Sequence, residues 1–269
     1  MEKVWLKSYP PGVPVEVDLD AYTSVTDVFE QAVEKFGARP CFSNMGTTLT
    51  YDDMDRYTAQ LAAYLQSLPG MSKGDRVAVM MPNVLQNPIA IFAVLRAGFT
   101  VVNTNPLYTP RELKHQLVDS GARVIIVMEN FCHTLADVID ETPVEHVITT
   151  QLGDLLKFPK SVIVNLVVNA LQAMTEGGTL TVETGRLGEN LVLVVEDTGA
   201  GMDEDALRNI FVPFYTTKDI HEGTGLGLPV VHGIVTSHGG IVGVESKVGR
   251  GTRFEIEFPV DGPSTDRSA

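Results

Sequence analysis

The sequence contains little cysteine: Cys41 and Cys132 are the two that occur, and no CxxC spacing is present. A zinc site or a disulfide framework is therefore not expected, and a reducing compartment suits the chain. Long apolar runs are missing too, because Pro82 and Arg96 are among the residues that interrupt the most apolar stretch, 77–103. The first residues have neither the apolar segment nor the cleavage site of a signal peptide. These features predict a cytoplasmic protein without a membrane-spanning helix.

The sequence also lacks an excess of basic charge. Acidic side chains outnumber basic ones in both halves, and the formal net charge is −14. A basic stripe that would attract nucleic acid or an anionic membrane surface is therefore not expected. Three histidines, His115, His133 and His146, have no second metal-ligand side chain at a fixed spacing. We interpret these histidines as packing or surface residues. From the charge distribution we predict no nucleic-acid partner.

Short apolar runs alternate with helical patterns in the first half. The predicted elements, in chain order, are strand 76–81, helix 87–98, strand 99–103, helix 110–121, strand 123–128, helix 133–140 and strand 146–149. Thr109 and Glu112 have the spacing of a capping box around Pro110. Acidic residues after Thr50 suit a second helix start, because carboxylates there favour the helix dipole. The alternation predicts a doubly wound parallel α/β layer.

Residues 1–158 resemble the N-terminal part of bacterial long-chain fatty-acid–CoA ligases, which are adenylate-forming enzymes. The resemblance is carried by KGDRVAVMMPNVLQNPIAIFAVLRAG (73–98) and above all by VVNTNPLYTPRELKHQLVDSGA (101–122). Such enzymes activate a fatty acid with ATP and pass it to CoA. They use a Ser/Thr/Gly-rich phosphate loop followed by lysine, an acidic ribose motif and a later lysine, and this sequence contains none of these. The resemblance therefore implies the family's scaffold layer and an inactive ligase fragment.

A helix with an apolar stripe begins the second half. The apolar residues recur at helical spacing and are Ile163, Leu166, Val167, Ala170, Leu171 and Met174. Asn165, Asn169 and Gln172 lie together on another face of that helix. They are either solvated amides or parts of a site, and the second reading gains weight because asparagine is a poor helix former.

Two glycine-containing segments follow that helix. The predicted strand 191–197 leads into Asp-Thr-Gly-Ala-Gly (197–201), which reads either as a simple turn or as a carboxylate with space for close backbone approach. Further on, alternating glycines at 223, 225 and 227 lead into a predicted helix, 230–238. Such a glycine-rich helix start is typical of an anion site, because its free N–H groups and the helix dipole favour phosphate.

Four motifs, at 165–170, 197–201, 211–218 and 223–228, together resemble the catalytic ATP-binding domain of sensor histidine kinases of the nitrogen-regulation type. The same superfamily includes gyrase-type ATPases. The resemblance implies an α/β sandwich that binds ATP and Mg²⁺ on one face of its sheet. The residues it implies for the site are Asn165, Asn169, Asp197, Gly199, Gly201, Lys218, Gly223, Gly225 and Gly227.

The resemblance also implies a role for each of these residues. Asn169 would ligate Mg²⁺ at the phosphates, with Asn165 alongside it. Asp197 would accept a hydrogen bond from the adenine amino group, and the two glycines that follow it would make room for the base. Lys218 and the three later glycines would form the lid and the phosphate end of the site.

The reaction class depends on Asn165. Hydrolysing relatives have a general-base glutamate at this position, four residues before the Mg²⁺-binding asparagine. Because an amide cannot take a proton from water, fast hydrolysis is disfavoured and phosphotransfer to an imidazole fits better.

The first half has no two-helix segment with an acceptor histidine, and His115 lacks the family's acidic neighbour. We therefore expect two-component signalling with an acceptor-histidine domain or a response regulator supplied in trans.

The expected organisation is a truncated ligase-like domain (1–158), an ATP-binding domain without its first strand and helix (159–260) and a disordered tail (261–269). No Gly/Ser-rich or Pro-rich linker separates the first two near residues 155–162. Both parts stop within a domain, which favours an accidental or artificial junction over a natural fusion. The alternative function is accordingly a non-catalytic chimera with a damaged nucleotide pocket.

Overall fold

The computed structural model describes residues 3–16, 18, 20–212, 215, 225 and 227–260. Over these residues the fold is α/β, with one parallel and one antiparallel four-stranded sheet and a separate two-stranded hairpin. The predicted disordered tail, 261–269, lies outside the described residues. No helix within the described part of the chain is both long and apolar enough to cross a membrane.

A small helical layer precedes the parallel sheet. It consists of helix α1 (Val25–Phe36), the antiparallel hairpin β1 (Pro40–Asn44) and β2 (Thr47–Thr50), and helix α2 (Tyr51–Ser67). The predicted helix start after Thr50 is confirmed, because Thr50 and Asp53 form a complete capping box. The hairpin was not predicted. Its turn places Met45 and Gly46 at positive φ, which is common for glycine and rare for methionine.

The parallel sheet has the strand order β4-β3-β5-β6. Its elements are β3 (Arg76–Met80), α3 (Gln86–Arg96), β4 (Thr100–Thr104), α4 (Pro110–Ser120), β5 (Val124–Met128), α5 (Cys132–Ala136) and β6 (His146–Thr150). Alternate strand residues pack against α2 and α3 on one face and against α4 and α5 on the other. The predicted doubly wound layer is therefore confirmed. The predicted capping box of α4 is also present, between Thr109 and Glu112.

The antiparallel sheet has the strand order β7-β8-β10-β9. Its elements are α6 (Lys160–Ala173), β7 (Leu180–Leu187), β8 (Asn190–Asp197), α7 (Glu204–Asn209), α8 (Gly227–Ser237), β9 (Ile241–Lys247) and β10 (Gly251–Pro259). One face of the sheet packs on these helices and buries Val195 and Ile256. The predicted α/β sandwich is confirmed as a sheet with one helix-covered face.

The predicted apolar stripe of α6 is confirmed at Leu166 and Ala170 and is wrong at Leu171. Val162, Leu166 and Ala170 are buried, whereas the predicted core residue Leu171 is 57% exposed. The helix is covered by the sheet on one side and by residues of the first half on another. Periodicity alone assigned a single buried face to this helix, whereas the contact of Asn165 with Gly153 buries the neighbouring face as well.

The segment between the two sheets packs on both of them. Gln86 in α3 donates from its Nε2 to the Gln151 carbonyl at 2.8 Å. Phe158 stacks on His238 at a centroid distance of 4.2 Å and meets Phe258 edge-on at 4.7 Å. The connection therefore contacts both halves. This agrees with its sequence, which lacks the Gly/Ser-rich or Pro-rich composition of a flexible linker.

Candidate functional site

A cavity of about 530 Å³ lies on the helix-covered face of the antiparallel sheet, between α6, α7 and the start of α8. Its walls combine apolar side chains such as Met202, Ile210 and Phe254 with a few polar ones. Mostly apolar walls with few convergent polar groups are typical of a small-molecule site. Five predicted site residues line it: Asn169, Asp197, Gly201, Gly225 and Gly227.

Asp197 lies at one end of this cavity. It is the last residue of β8, and its side chain is almost fully buried. Its Oδ1 accepts a hydrogen bond from the Gly199 amide at 2.8 Å. Burial raises the pKa of this carboxyl, while backbone donors at Gly199 and Thr252 oppose the rise. The result is a buried hydrogen-bond acceptor at the cavity wall, suited to a ligand that donates an N–H.

The two glycines after Asp197 are required by the backbone. A Cβ on Gly199 would lie 2.4 Å from the carbonyl oxygen of Ala173, at the end of α6. A Cβ on Gly201, where φ is +66°, would lie 2.1 Å from the carbonyl oxygen of Lys247. Neither oxygen can move without moving a helix or strand. The predicted role of these glycines, making room for a base, stays a prediction beside this packing requirement.

Asn169 and Gly227 meet at another part of the cavity. A Cβ on Gly227 would lie 3.3 Å from Oδ1 and 3.4 Å from Nδ2 of Asn169. The missing side chain thus allows the N-terminus of α8 to lie directly against the Asn169 amide. Asn169 Nδ2 is buried, and no described residue accepts a hydrogen bond from it. An amide with unused bonding capacity faces a helix N-terminus here, which is an anion-favouring arrangement.

Asn165 points elsewhere. It is 3% exposed, and its Oδ1 accepts from the Gly153 amide at 2.9 Å. It is not among the residues that line the cavity. The structure therefore separates Asn165 from Asn169, although they lie one helical turn apart. That Asn165 contacts the nucleotide stays a prediction, and the predicted site residues Lys218 and Gly223 lie outside the described residues.

Glu129 lines the cavity and was missed by the sequence analysis. It follows β5 directly, in the first half, and its Oε2 accepts from Gln151 Nε2 at 2.6 Å. Gln151 in turn follows β6, which is the neighbour of β5 in the sheet. Parallel neighbours end at the same edge of a sheet, so the two side chains meet there. No motif in the sequence marks either residue, because their position depends on how the two sheets pack.

Comparison with known proteins supports both resemblances. Residues 155–262 match the family described as histidine kinase-, DNA gyrase B- and HSP90-like ATPases. Over 122 residues the chain is 43% identical to the sensor kinase CckA of Brucella abortus, covering 40% of this chain and 13% of that protein. Among solved structures, the catalytic domain of histidine kinase ThkA is 35% identical. That alignment covers 37% of this chain and 64% of ThkA, with a TM-score of 0.33.

The first half matches a second family. The chain is 52% identical over 174 residues to the long-chain-fatty-acid–CoA ligase of Escherichia coli O6:H1, covering 65% of this chain. The match covers 31% of that ligase, so the chain spans about a third of the length of the curated ligases. The family model for AMP-binding enzymes matches residues 29–186, beyond the predicted limit of residue 158. The chain therefore belongs to the AMP-binding enzyme family over residues 29–186, and its residues 155–262 match the histidine kinase-, DNA gyrase B- and HSP90-like ATPases.

Proposed function

We propose that the second half binds Mg²⁺-ATP and transfers its γ-phosphate to a protein histidine supplied in trans. The observation that carries the proposal is that one cavity contains both the buried Asp197 carboxylate and the Asn169 amide, which lies against the start of α8. The match of residues 155–262 to the ATPase family supports it. The boundary between the two halves is placed at residues 158–159, as the sequence analysis predicts.

Asp197 would select the base. Adenine has a flat apolar ring and one exocyclic amino group that donates hydrogen bonds. The buried carboxylate would accept from this group, while Met202 and Ile210 provide apolar cavity wall for the ring. A buried acceptor left unpaired is costly, so a base without a donor at that position would bind more weakly.

Asn169 would act at the phosphates. Its amide oxygen is a hard ligand of the kind that Mg²⁺ prefers, and its buried Nδ2 has no partner among the described residues. The amide oxygen would therefore help to hold a magnesium ion, and the Nδ2 group would donate to a phosphate oxygen. When bound, Mg²⁺ offsets the negative charge of the phosphate oxygens. Gly225 and Gly227 leave the α8 N-terminus open to the phosphates, and we assign Lys218 and Gly223 to the lid, as the resemblance implies.

Phosphotransfer rather than hydrolysis follows from position 165. Asn165 has no carboxylate, and its amide oxygen is already bonded to the Gly153 amide. It therefore cannot take a proton from an attacking water. An acceptor imidazole needs no such base, because its own nitrogen lone pair attacks. An acceptor-histidine domain or a response regulator would be the partner.

The test is nucleotide binding with a matched pair of variants. Asp197→Asn replaces a buried acceptor oxygen with an amide donor, and Asp205→Asn makes the same charge change on the exposed surface of α7. Losing a hydrogen bond to a charged group costs about 1.5–3 kcal/mol, so we expect Asp197→Asn to weaken ATP binding by about 10- to 100-fold. The Asp205 variant should bind like the parent.

Two outcomes of this test would contradict the proposal. If the parent shows no saturable ATP binding, the chain is a non-catalytic chimera with a damaged pocket. If it binds ATP but transfers no label to an added acceptor-helix domain, the phosphotransfer part of the proposal is wrong. Thioester formation from palmitate and CoA, measured in the same preparation, would instead assign ligase chemistry to the first half.

A further inference from the structure

The carboxyl edge of the parallel sheet faces the phosphate end of the cavity. Glu129 follows β5 and lines the cavity, and Gln151 follows β6 beside it. Gln151 Nε2 lies 2.7 Å from the point that a Cβ on Gly227 would occupy, and Asn169 Oδ1 lies 3.3 Å from the same point. Glu129, Gln151 and Asn169 therefore form one polar cluster, which we call the junction cluster, with side chains from both halves.

The junction cluster brings a negative charge into the cavity, because the Glu129 carboxylate is among the groups that line it. Phosphate oxygens entering this region would be repelled by that carboxylate. A cation between them would turn that repulsion into attraction.

We propose that Glu129 supplies a carboxylate ligand, direct or through a coordinated water, to the divalent cation held at Asn169. The inference rests on the proposed function and extends it to a residue of the ligase-like half. Mg²⁺ usually keeps several waters and is bound by one or two carboxylates together with substrate phosphates. Asn169 offers an amide oxygen alone, and Glu129 supplies the missing carboxylate.

Gln151 would position this carboxylate. It is about nine-tenths buried, and its Nε2 holds Glu129 Oε2 at 2.6 Å. Its Oε1 is buried and has no hydrogen-bond partner among the described residues. A water bound to the cation would donate to this oxygen. Such outer contacts orient a ligand and usually change metal affinity by 10- to 100-fold when removed.

The test compares Glu129→Gln with Glu189→Gln. Glutamine at position 129 keeps an acceptor oxygen for Gln151, so the fold is expected to survive, and this is checked by thermal melting. Glu189 is exposed at the β7–β8 turn and provides the same change in net charge. ATP binding is measured by fluorescence titration across a range of Mg²⁺ concentrations and again in EDTA.

We expect Glu129→Gln to raise the Mg²⁺ concentration for half-maximal ATP binding by about tenfold. In EDTA the same variant should bind ATP as tightly as the parent or more tightly, because a negative charge has been removed. Glu129→Asp, which keeps the carboxylate, should restore part of the Mg²⁺ response. Tighter ATP binding by the same factor in both buffers would show simple repulsion and overturn the proposal. Loss of phosphotransfer to the added acceptor-helix domain with an unchanged Mg²⁺ response would show a role in the transfer step and overturn it too.

A second measurement separates this inference from the proposed function. Mn²⁺ is titrated alone into the nucleotide-free protein, and the bound fraction is read by electron paramagnetic resonance. Weaker Mn²⁺ binding by Glu129→Gln than by Glu189→Gln supports the inference even if ATP does not bind. Equal Mn²⁺ binding by both variants, together with an unchanged Mg²⁺ response, contradicts the inference. The proposed ATP site is not affected by that outcome.

Discussion

Replacing Gly227 with alanine should damage the nucleotide site while sparing the fold. The new methyl group would lie 2.7 Å from Gln151 Nε2 and 3.3–3.4 Å from the Asn169 amide. Both neighbours are ends of flexible side chains, so they move aside by a few tenths of an ångström. That shift displaces the two amides that we expect to contact the phosphates, and a small displacement of such groups weakens nucleotide binding.

The magnitude follows from two opposing terms. Gly227 begins α8 without a positive φ, so alanine suits its backbone and restricts the unfolded chain, a gain of about 0.4–1 kcal/mol that offsets the cost of moving the two amides. The free energy of unfolding should therefore change little. The affinity for Mg²⁺-ATP should fall by about tenfold, which corresponds to about 1.4 kcal/mol.

Two further glycine variants calibrate this result. Gly233→Ala changes the same helix at a position where nothing lies within 4 Å, so it should stabilise the protein by about 1 kcal/mol and leave ATP binding unchanged. Gly201→Ala combines a φ of +66° with a backbone oxygen at 2.1 Å, so it should cost more than about 2 kcal/mol. Urea unfolding and ATP titration are measured for all three variants. Parent-like ATP affinity in Gly227→Ala, or destabilisation equal to that of Gly201→Ala, would refute the reasoning.

Two other predictions concern stability. Because burial raises the folded-state pKa of Asp197 above its ordinary 3.8, its contribution to stability is fully present below pH 3.8 and declines as the pH rises through the folded-state value. Asp197→Asn should lack this decline, and parallel pH slopes in urea unfolding of the two proteins would contradict the assignment. Phe158→Ala removes the ring contacts with His238 and Phe258, each worth about 1 kcal/mol. It should lower the melting temperature of the antiparallel-sheet half by several degrees, whereas an unchanged melting curve would show that the junction does not stabilise it.

Local patterns predicted much of the fold because their physics is local. The capping boxes at Thr50 and Thr109 depend on side chains three residues apart. Buried β5 is a run of apolar residues, and β8 ends at the predicted Asp197. The hairpin turn at Met45 was missed, because methionine rarely adopts a positive φ and therefore does not mark a turn. Leu171 was assigned to the core because periodicity cannot tell which face a second layer covers.

The sequence by itself determined the order of the strands and helices over residues 76–149, the two family resemblances and several of the residue types that line the cavity. These depend on spacings of a few residues, which the chain carries directly. Only the tertiary structure decided that Asn165 turns toward Gly153. It also decided that Glu129 and Gln151 come together beside the start of α8. Those contacts join residues that are distant in the chain. Their geometry depends on how two sheets with separate cores pack, which no local periodicity encodes.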